Sequence, residues 1–227
     1  TRRLADDWTY DIAWHPAPVA EPAVETDANE HWILVGDPGE FGATLAAELT
    51  AASIDHVLLQ HTDADALQRA LAVPAAGRRR IVHLGVQTDD GAIDRGTAAM
   101  LMVAQAVIGA DRDGDLWVVT RGAQATSDEQ VDPSQAPLWG LGRVIAVEHP
   151  EHWGGLVDLD LAPAAADAAA LLDLIRTAGA EDQFAVREGA RLVPRLVRRQ
   201  PAAAVTLALR ADGAYLVTGG LGGLGLQ

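Results

Sequence analysis

"HWILVGDPGEFGATLAAELTAA", residues 31–52, carries the plan of the whole chain. After His31 its first residues, 32–36, are an apolar run, the pattern of a strand covered on both faces. A Gly/Asp/Pro turn follows, and then apolar residues recur at helical spacing. This strand–turn–helix unit repeats along the chain. "HVLLQ" (56–60) is a second strand, followed by a helical pattern over 63–72. "RRIVHLG" (79–85) leads to a long helix over about 94–110, and "LWVVT" (116–120) leads through a polar loop to a helix over about 135–148. "GLVDLD" (155–160) precedes the alanine-rich helix "PAAADAAALLDLIRTAG".

Strands alternating with helices imply right-handed crossovers and a parallel sheet with helices on both faces. The predicted fold class is α/β, a Rossmann-like doubly wound, mostly parallel sheet. "QFAVREGARLVPRLV" (183–197) predicts a hairpin turning at Glu188-Gly189. At the other end, "WTYDIAWHP" (8–16) reads as a short strand and "APVAEPAVETDANE" (17–30) as a linker. A second linker, "RRQPAAAVTLALRADG", leads into the closing "AYLVTGGLGGLGLQ".

The chain has 227 residues, 49% of them apolar, which suffices for one sizeable core. A formal charge of −15 repels phosphate backbones and anionic membranes, so nucleic acid and membrane are not expected partners. With no cysteine there is neither disulfide nor thiolate metal site. No apolar run reaches the roughly 18–20 residues that span a bilayer. "TRRLADDWTY" lacks the apolar core of a signal peptide, and a cytoplasmic location is the expectation. All 17 basic residues are arginine, so no Schiff-base or Tyr-x-x-x-Lys lysine exists here.

Two glycine turns invite a nucleotide reading. The terminal "TGGLGGLG" fits T-G-x-x-x-G-x-G, and its candidate cofactor-binding residues are Thr218, Gly219, Gly220, Leu221, Gly222, Gly223, Leu224 and Gly225. Glycines there would admit a pyrophosphate, and a following helix N-terminus would bind it. The strand precedes the motif, but the helix and the ribose-binding residue are absent from this sequence. "VGDPGEFG" (35–42) also joins a strand to a helix. Asp37 puts a negative charge where phosphate would sit, and Pro38 removes a donor, so it reads as a turn that has lost nucleotide binding.

The most characteristic stretch is "TRGAQATSDEQVDPSQAPLWGLGRVIAVEHPEHWGG" (120–155). A short-chain reductase would carry a catalytic Ser after this strand, a Tyr about 13 residues on, and a Lys four later. Counting the same way gives Thr126 or Ser127, then Trp139, then Arg143. Indole cannot protonate an alkoxide, and guanidinium differs from ammonium in shape and acidity. Packing of Trp139 in the core and pairing of Arg143 with an acid is the plainer account. "DRDGD" (111–115) lacks the Gly and Glu of a calcium loop, the seven histidines show no metal spacing, and "GRRR" (77–80) reads as a solvated turn. No catalytic residue and no metal site are assigned.

"PLWGLGRVIAVEHPEHWGGLVDLD" (137–160) and "YLVTGGLGGLG" (215–225), with "WTYDIAWHP", resemble the ketoreductase region of modular type I polyketide synthases. The resemblance implies two Rossmann-like halves: a structural subdomain that has lost cofactor binding, and a catalytic one. The latter binds NADPH and reduces a β-ketoacyl chain on the acyl carrier protein. By that resemblance 1–30 is an N-terminal strand and linker, and 31–200 the structural subdomain, a degenerate short-chain reductase fold. Residues 213–227 begin the catalytic subdomain, with its Ser, Tyr, Lys and Asn lying beyond Gln227. About 15 residues between Val197 and Gly213 leave no room for an inserted enoylreductase domain. The expected role is a non-catalytic support, with no cofactor bound by this chain and NADPH bound in the intact parent. Its expected partners are the catalytic subdomain of the same polypeptide, the acyl carrier protein and other synthase domains. Two alternatives are a freestanding NAD(P)-binding oxidoreductase or nucleotide-binding protein using "VGDPGEFG", and a docking module for other synthase domains.

Overall fold

The computed structural model describes residues 8–17, 29–36, 40–60, 63–74, 77–85, 93–110, 114–127, 129–199, 210–216, 218–219 and 221–223. Most of both expected linkers, 18–28 and 200–209, lies outside the described residues, as does the start of "DRDGD". The chain divides into a large compact unit, Ile12–Leu196, and a smaller one made of both ends, Thr1–Asp11 with Val197–Gln227.

Among the described residues, eight strands form one sheet: β1 (Tyr10–Pro16), β2 (His31–Val35), β3 (Asp55–Leu59), β4 (Arg79–Leu84), β5 (Asp115–Arg121), β6 (Trp153–Leu159), β7 (Gln183–Arg187) and β8 (Ala190–Arg198). Their order is β1-β8-β7-β6-β5-β4-β2-β3. β2 to β7 run parallel, and β7 and β8 form an antiparallel hairpin. Among the described residues, five α-helices cover the sheet: α1 (Glu40–Ala51), α2 (Ala64–Ala72), α3 (Ile93–Gly109), α4 (Ala136–Glu148) and α5 (Asp167–Thr177). None of the helices described is long and apolar enough to cross a membrane.

The strands bury both faces, and alternate residues go to different cores. Trp32 and Leu34 of β2 join Val82, Val119, Val157 and Leu159 under α1 and α5. Ile33 and Val35 join Ile81, Val118 and Leu156 under α2, α3 and α4. That two-sided burial is why the strands read as continuous apolar runs rather than alternating ones. Burying a Leu or Ile side chain contributes about 1.5–3 kcal/mol, so these two clusters dominate the folding energy.

Three features depart from the simplest reading. Among the six parallel strands, the first lies between the second and third, giving the doubly wound order 2-1-3-4-5-6, so the switch point falls between β2 and β4. The steps β4→β5, β5→β6 and β6→β7 all go the same way across the sheet. Yet α3 and α4 pack on one face and α5 on the other. The β6–α5–β7 crossover therefore has the opposite hand to its neighbours, against the expectation of uniformly right-handed connections. The reason is coverage: without α5, α1 alone would have to shield Trp117, Val119, Val157 and Leu159. The third departure is "GRRR", which is not a solvated turn beyond Arg78. Arg79 and Arg80 are buried residues of β4, and Arg80 lies near Glu30 (3.5 Å) and Asp115 (3.7 Å). Those two carboxylates are what allow an arginine into a central strand.

In the small unit, Arg199 N donates to Thr9 O at 2.9 Å, Arg199 pairs with Asp11 at 3.6 Å, and Arg198 lies over the Tyr10 ring at 5.8 Å. The sequence predicts a strand at the start of the closing segment, but Ala214–Leu216 form none. Leu216 is 92% exposed, and Tyr215 Oη instead accepts a hydrogen bond from Arg210 N. A strand needs a neighbour to satisfy its backbone groups, and this segment has none among the described residues.

Candidate functional site

In a doubly wound sheet, ligands bind at the carboxyl ends of the strands. Three groups of residues bear on function: the positions counted from the reductase frame, the crevice at α1, and the terminal glycine turn.

The first group closes on itself. Trp139 sits on the inner face of α4, 1% exposed, and its Nε1 donates to Thr120 Oγ1 of β5 at 2.9 Å. Thr120 Oγ1 donates in turn to Asp158 Oδ1 of β6 at 2.6 Å. Asp158 is fully buried and also accepts from Ala123 N at 2.8 Å, Gln124 N at 3.1 Å and Arg187 Nη2 at 2.7 Å. Arg187, at the end of β7, reaches Glu129 with Nε at 3.0 Å and the Gln124 carbonyl with Nη2 at 2.7 Å. Glu129 Oε1 closes the series by accepting from Thr126 N at 2.8 Å and Thr126 Oγ1 at 2.7 Å.

Both ends of this series, Thr126 and Trp139, are positions that the reductase spacing singles out. They are joined through Thr120, Asp158, Arg187 and Glu129, which sequence reading passed over. One signal was available: Asp158 interrupts the apolar strand "GLVDL", and an aspartate in a two-sided buried strand requires partners. The arrangement is electrostatically tight. Burial disfavours the charge of Arg187, but the hydrogen bonds and charges of Asp158 and Glu129 outweigh it and raise its pKa above the ordinary arginine value. Burial likewise opposes ionisation of Glu129, and hydrogen bonds from Thr126 and Arg187 overcome it, leaving its pKa below the usual glutamate value.

Trp139 packs edge-on against Trp14 of β1, with centroids 6.0 Å apart and planes at 76°. Arg143 lies 5.5 Å from the Trp139 ring, and its Nε donates to Gln183 Oε1 at 3.0 Å, so its partner is an amide rather than the expected acid. The cluster contains no histidine, cysteine, tyrosine or lysine side chain. The cluster locks the loop after β5 to β6 and β7.

The second group lies where "VGDPGEFG" joins β2 to α1. Asp37, Pro38 and Gly39 fall outside the described residues. A Cβ on Gly36 would stand 2.7 Å from Leu84 Cβ, so this glycine serves the close approach of β2 to β4. Beside α1 opens a cavity of about 610 Å³, walled by Phe41, Leu84, Val119, Ala164, Ala168 and Arg121. Arg121 is held from three sides. Its Nη1 donates to Asp167 Oδ2 at 2.6 Å and to Asp160 O at 3.0 Å, and its guanidinium lies 4.6 Å from the Phe41 centroid.

The third group is the terminal turn. Gly219 has φ +70°, and Gly222 N donates to Gly219 O at 2.8 Å. Thr218, Leu221 and Gly223 belong to the same turn, with Leu221 92% exposed. Gly220, Leu224 and Gly225 lie outside the described residues. A dinucleotide cradle needs a strand before the turn and a helix after it. The described residues supply the turn alone and do not make that cradle.

A mostly parallel, doubly wound sheet with a closed polar cluster in the reductase position defines a Rossmann-type domain related to ketoreductases. Residues 12–196 match the family described as the polyketide synthase extender module SpnB, Rossmann fold domain, and the chain belongs to that family. It is 36% identical over 252 residues to polyketide synthase GfsA of Streptomyces halstedii, covering 98% of this chain and 3% of that protein. It is 38% identical over 236 residues to pikromycin polyketide synthase component PikAIII of Streptomyces venezuelae, covering 97% of this chain and 14% of that protein. The chain therefore spans a small fraction of these relatives. Among solved structures, it is similar to a C2-type ketoreductase from a modular polyketide synthase, with 31% identity and TM-score 0.72 over 92% of this chain and 46% of that one. An A1-type ketoreductase gives 32% identity and TM-score 0.66, over 87% of this chain and 44% of that one. The chain is a ketoreductase-type Rossmann region of a polyketide synthase module.

Proposed function

We propose that this chain is a non-catalytic structural subdomain that supports the NADPH-dependent, β-ketoacyl-reducing half of a polyketide synthase module. The observation that carries the reading is the closed series Trp139–Thr120–Asp158–Arg187–Glu129–Thr126. It commits to structure the positions where a short-chain reductase keeps its proton donors. The absence of lysine from the sequence supports the same conclusion. On this reading the catalytic partner is the segment that follows in the same polypeptide, beginning about residue 213, and 31–200 is the supporting body. The reduced acyl group would be presented by an acyl carrier protein.

The test is to express the parent reductase from residue 213 onward, with and without residues 1–212. The shortened protein is expected to be unstable or inactive with a β-ketoacyl thioester and NADPH, and activity to return when both parts are co-expressed. Full activity of the shortened protein alone would overturn the reading. The alternative is a nucleotide site in this chain itself, at the turn over 35–42 beside the cavity at α1. Calorimetric titration of the 227-residue chain with NADPH separates the two: no heat of binding fits the supporting role, and saturable binding fits the alternative.

A further inference from the structure

Beyond β6 the helices cover one face of the sheet only. On the α5 side, Val193 of β8 joins the core and Arg191 Nη1 donates to Thr177 Oγ1 at 2.7 Å. On the other side, the core under α2, α3 and α4 takes residues from β2, β4, β5 and β6, and none from β7 or β8 among the described residues. Ala17 N donates to Arg191 O at 2.8 Å and Arg199 N to Thr9 O at 2.9 Å. β1 and β8 therefore run antiparallel, with Ile12 opposite Leu196 and Trp14 opposite Pro194. Alternation puts Ile12 on the same face as Trp14, which meets Trp139 of α4. Ile12 is 57% exposed and Leu196 70%, and Val147, one turn beyond Arg143 on α4, is 81% exposed. We propose that this open strip beside α4 docks one amphipathic helix of the body that follows in the same polypeptide.

Width decides what fits. Neighbouring strands stand about 4.8 Å apart, so the three strands beyond β6 offer about 14 Å, and a helix with its side chains is about 10–12 Å across. A helix satisfies its own backbone and can bury an apolar stripe on the Ile12–Leu196 pair, whereas a strand laid flat there would leave its backbone groups unpaired. Arg143 is exposed at the border of the strip and bonded to the Gln183 amide, so its charge is open to a carboxylate on the incoming helix.

Two observations select the partner. This chain matches 46% of the C2-type ketoreductase chain and 44% of the A1-type one, so in each a further stretch of about equal length accompanies the matching one. In this sequence about 15 residues separate Val197, next to Leu196, from Gly213, where the following half begins on the supporting reading. So short a tether spans at most about 50 Å and holds that half at an effective concentration on the order of 1 mM. A second copy of the chain meets the opposite condition, because each copy carries −15 and the two repel.

The proposal takes only the identity of its partner from the supporting role. If the shortened reductase proves active alone, that role falls, while the accessibility of this strip still reads docking. The chain has no cysteine, so an introduced one reports accessibility. Val147→Cys, Leu196→Cys and, as a control at the far end of the sheet, Val73→Cys are made both in the 227-residue chain and in the parent reductase carrying both halves. Their reaction with N-ethylmaleimide is followed by peptide mass spectrometry. The thiols at 147 and 196 should react at least about tenfold more slowly in the parent, and the thiol at 73 equally fast in both. Adding Arg143→Glu or Leu196→Asp to the Val147→Cys parent should restore fast labelling, and neither should shift the melting temperature of the 227-residue chain. Equal rates at 147 and 196 in the two proteins would overturn the proposal, as would protection that survives both added substitutions. Protection that appears in the 227-residue chain as its concentration rises would overturn it too, by showing a second copy on the strip.

Discussion

Asp158 is the buried acceptor on which the polar series turns. It is fully buried and accepts hydrogen bonds from a hydroxyl, two backbone amides and a guanidinium. Truncating it removes one partner of a buried charge pair and takes an acceptor from Arg187, Ala123 N and Gln124 N. Asp158→Ala is therefore expected to lower stability by about 3–5 kcal/mol. Urea unfolding checks this as a fall in the midpoint at unchanged slope; a loss below about 1 kcal/mol would show that the series is not structural. Glu129 sets the acid response of the same cluster. Its folded pKa is held below the ordinary value by Thr126 and Arg187 against burial. Its contribution is therefore complete above the unfolded value of about 4.3 and is lost as pH falls through the lowered folded value. Melting temperature should drop as the pH is taken from about 5 to about 3 in the parent, and Glu129→Gln should flatten part of that drop. An unaltered acid slope in the variant would refute the assignment.

Elements were legible because their periodicity is local. The 3.6-residue pattern in "EFGATLAAELTA" and the apolar run of "HWILV" fall where α1 and β2 form. The hairpin turn is also where its residues demand: Glu188 at φ +50° and Gly189 at φ +78° make a two-residue turn of the type that suits twisted strands. Helix α4 shows the limit of such reading. "PLWGLGRV" holds two glycines that look alike in sequence. Gly140 faces solvent, with nothing within 4 Å of the place a Cβ would take. Gly142 is buried, and a Cβ there would stand 2.7 Å from Leu156 Cδ2 and 2.9 Å from the Trp153 ring. Gly140→Ala should raise stability by about 0.5–1 kcal/mol through helix propensity, while Gly142→Ala should lower it by about 1–3 kcal/mol through overpacking. Thermal unfolding of the two variants reads the sign directly, and shifts of the same sign would sink the contrast.

Across the whole molecule, both packed faces of the sheet and the Trp14–Trp139 contact fall within Ile12–Leu196. A chain cut back to 12–196 is expected to unfold in one cooperative transition near the parent midpoint, because both cores stay intact. A broad or absent transition would show that the terminal segments are required for folding. The α/β class, the alternation of elements, the hairpin and the lack of lysine all follow from the sequence, since each is written in composition or in neighbours a few residues apart. Folding in three dimensions was needed to settle which face α5 covers, which glycine of α4 is buried, why Arg79 and Arg80 sit inside β4, and how Trp139 and Thr126 are joined. The physical reason is the same in each case. Asp158 lies 38 residues from Thr120 and 29 from Arg187, and no local pattern states which distant side chain will satisfy a buried charge.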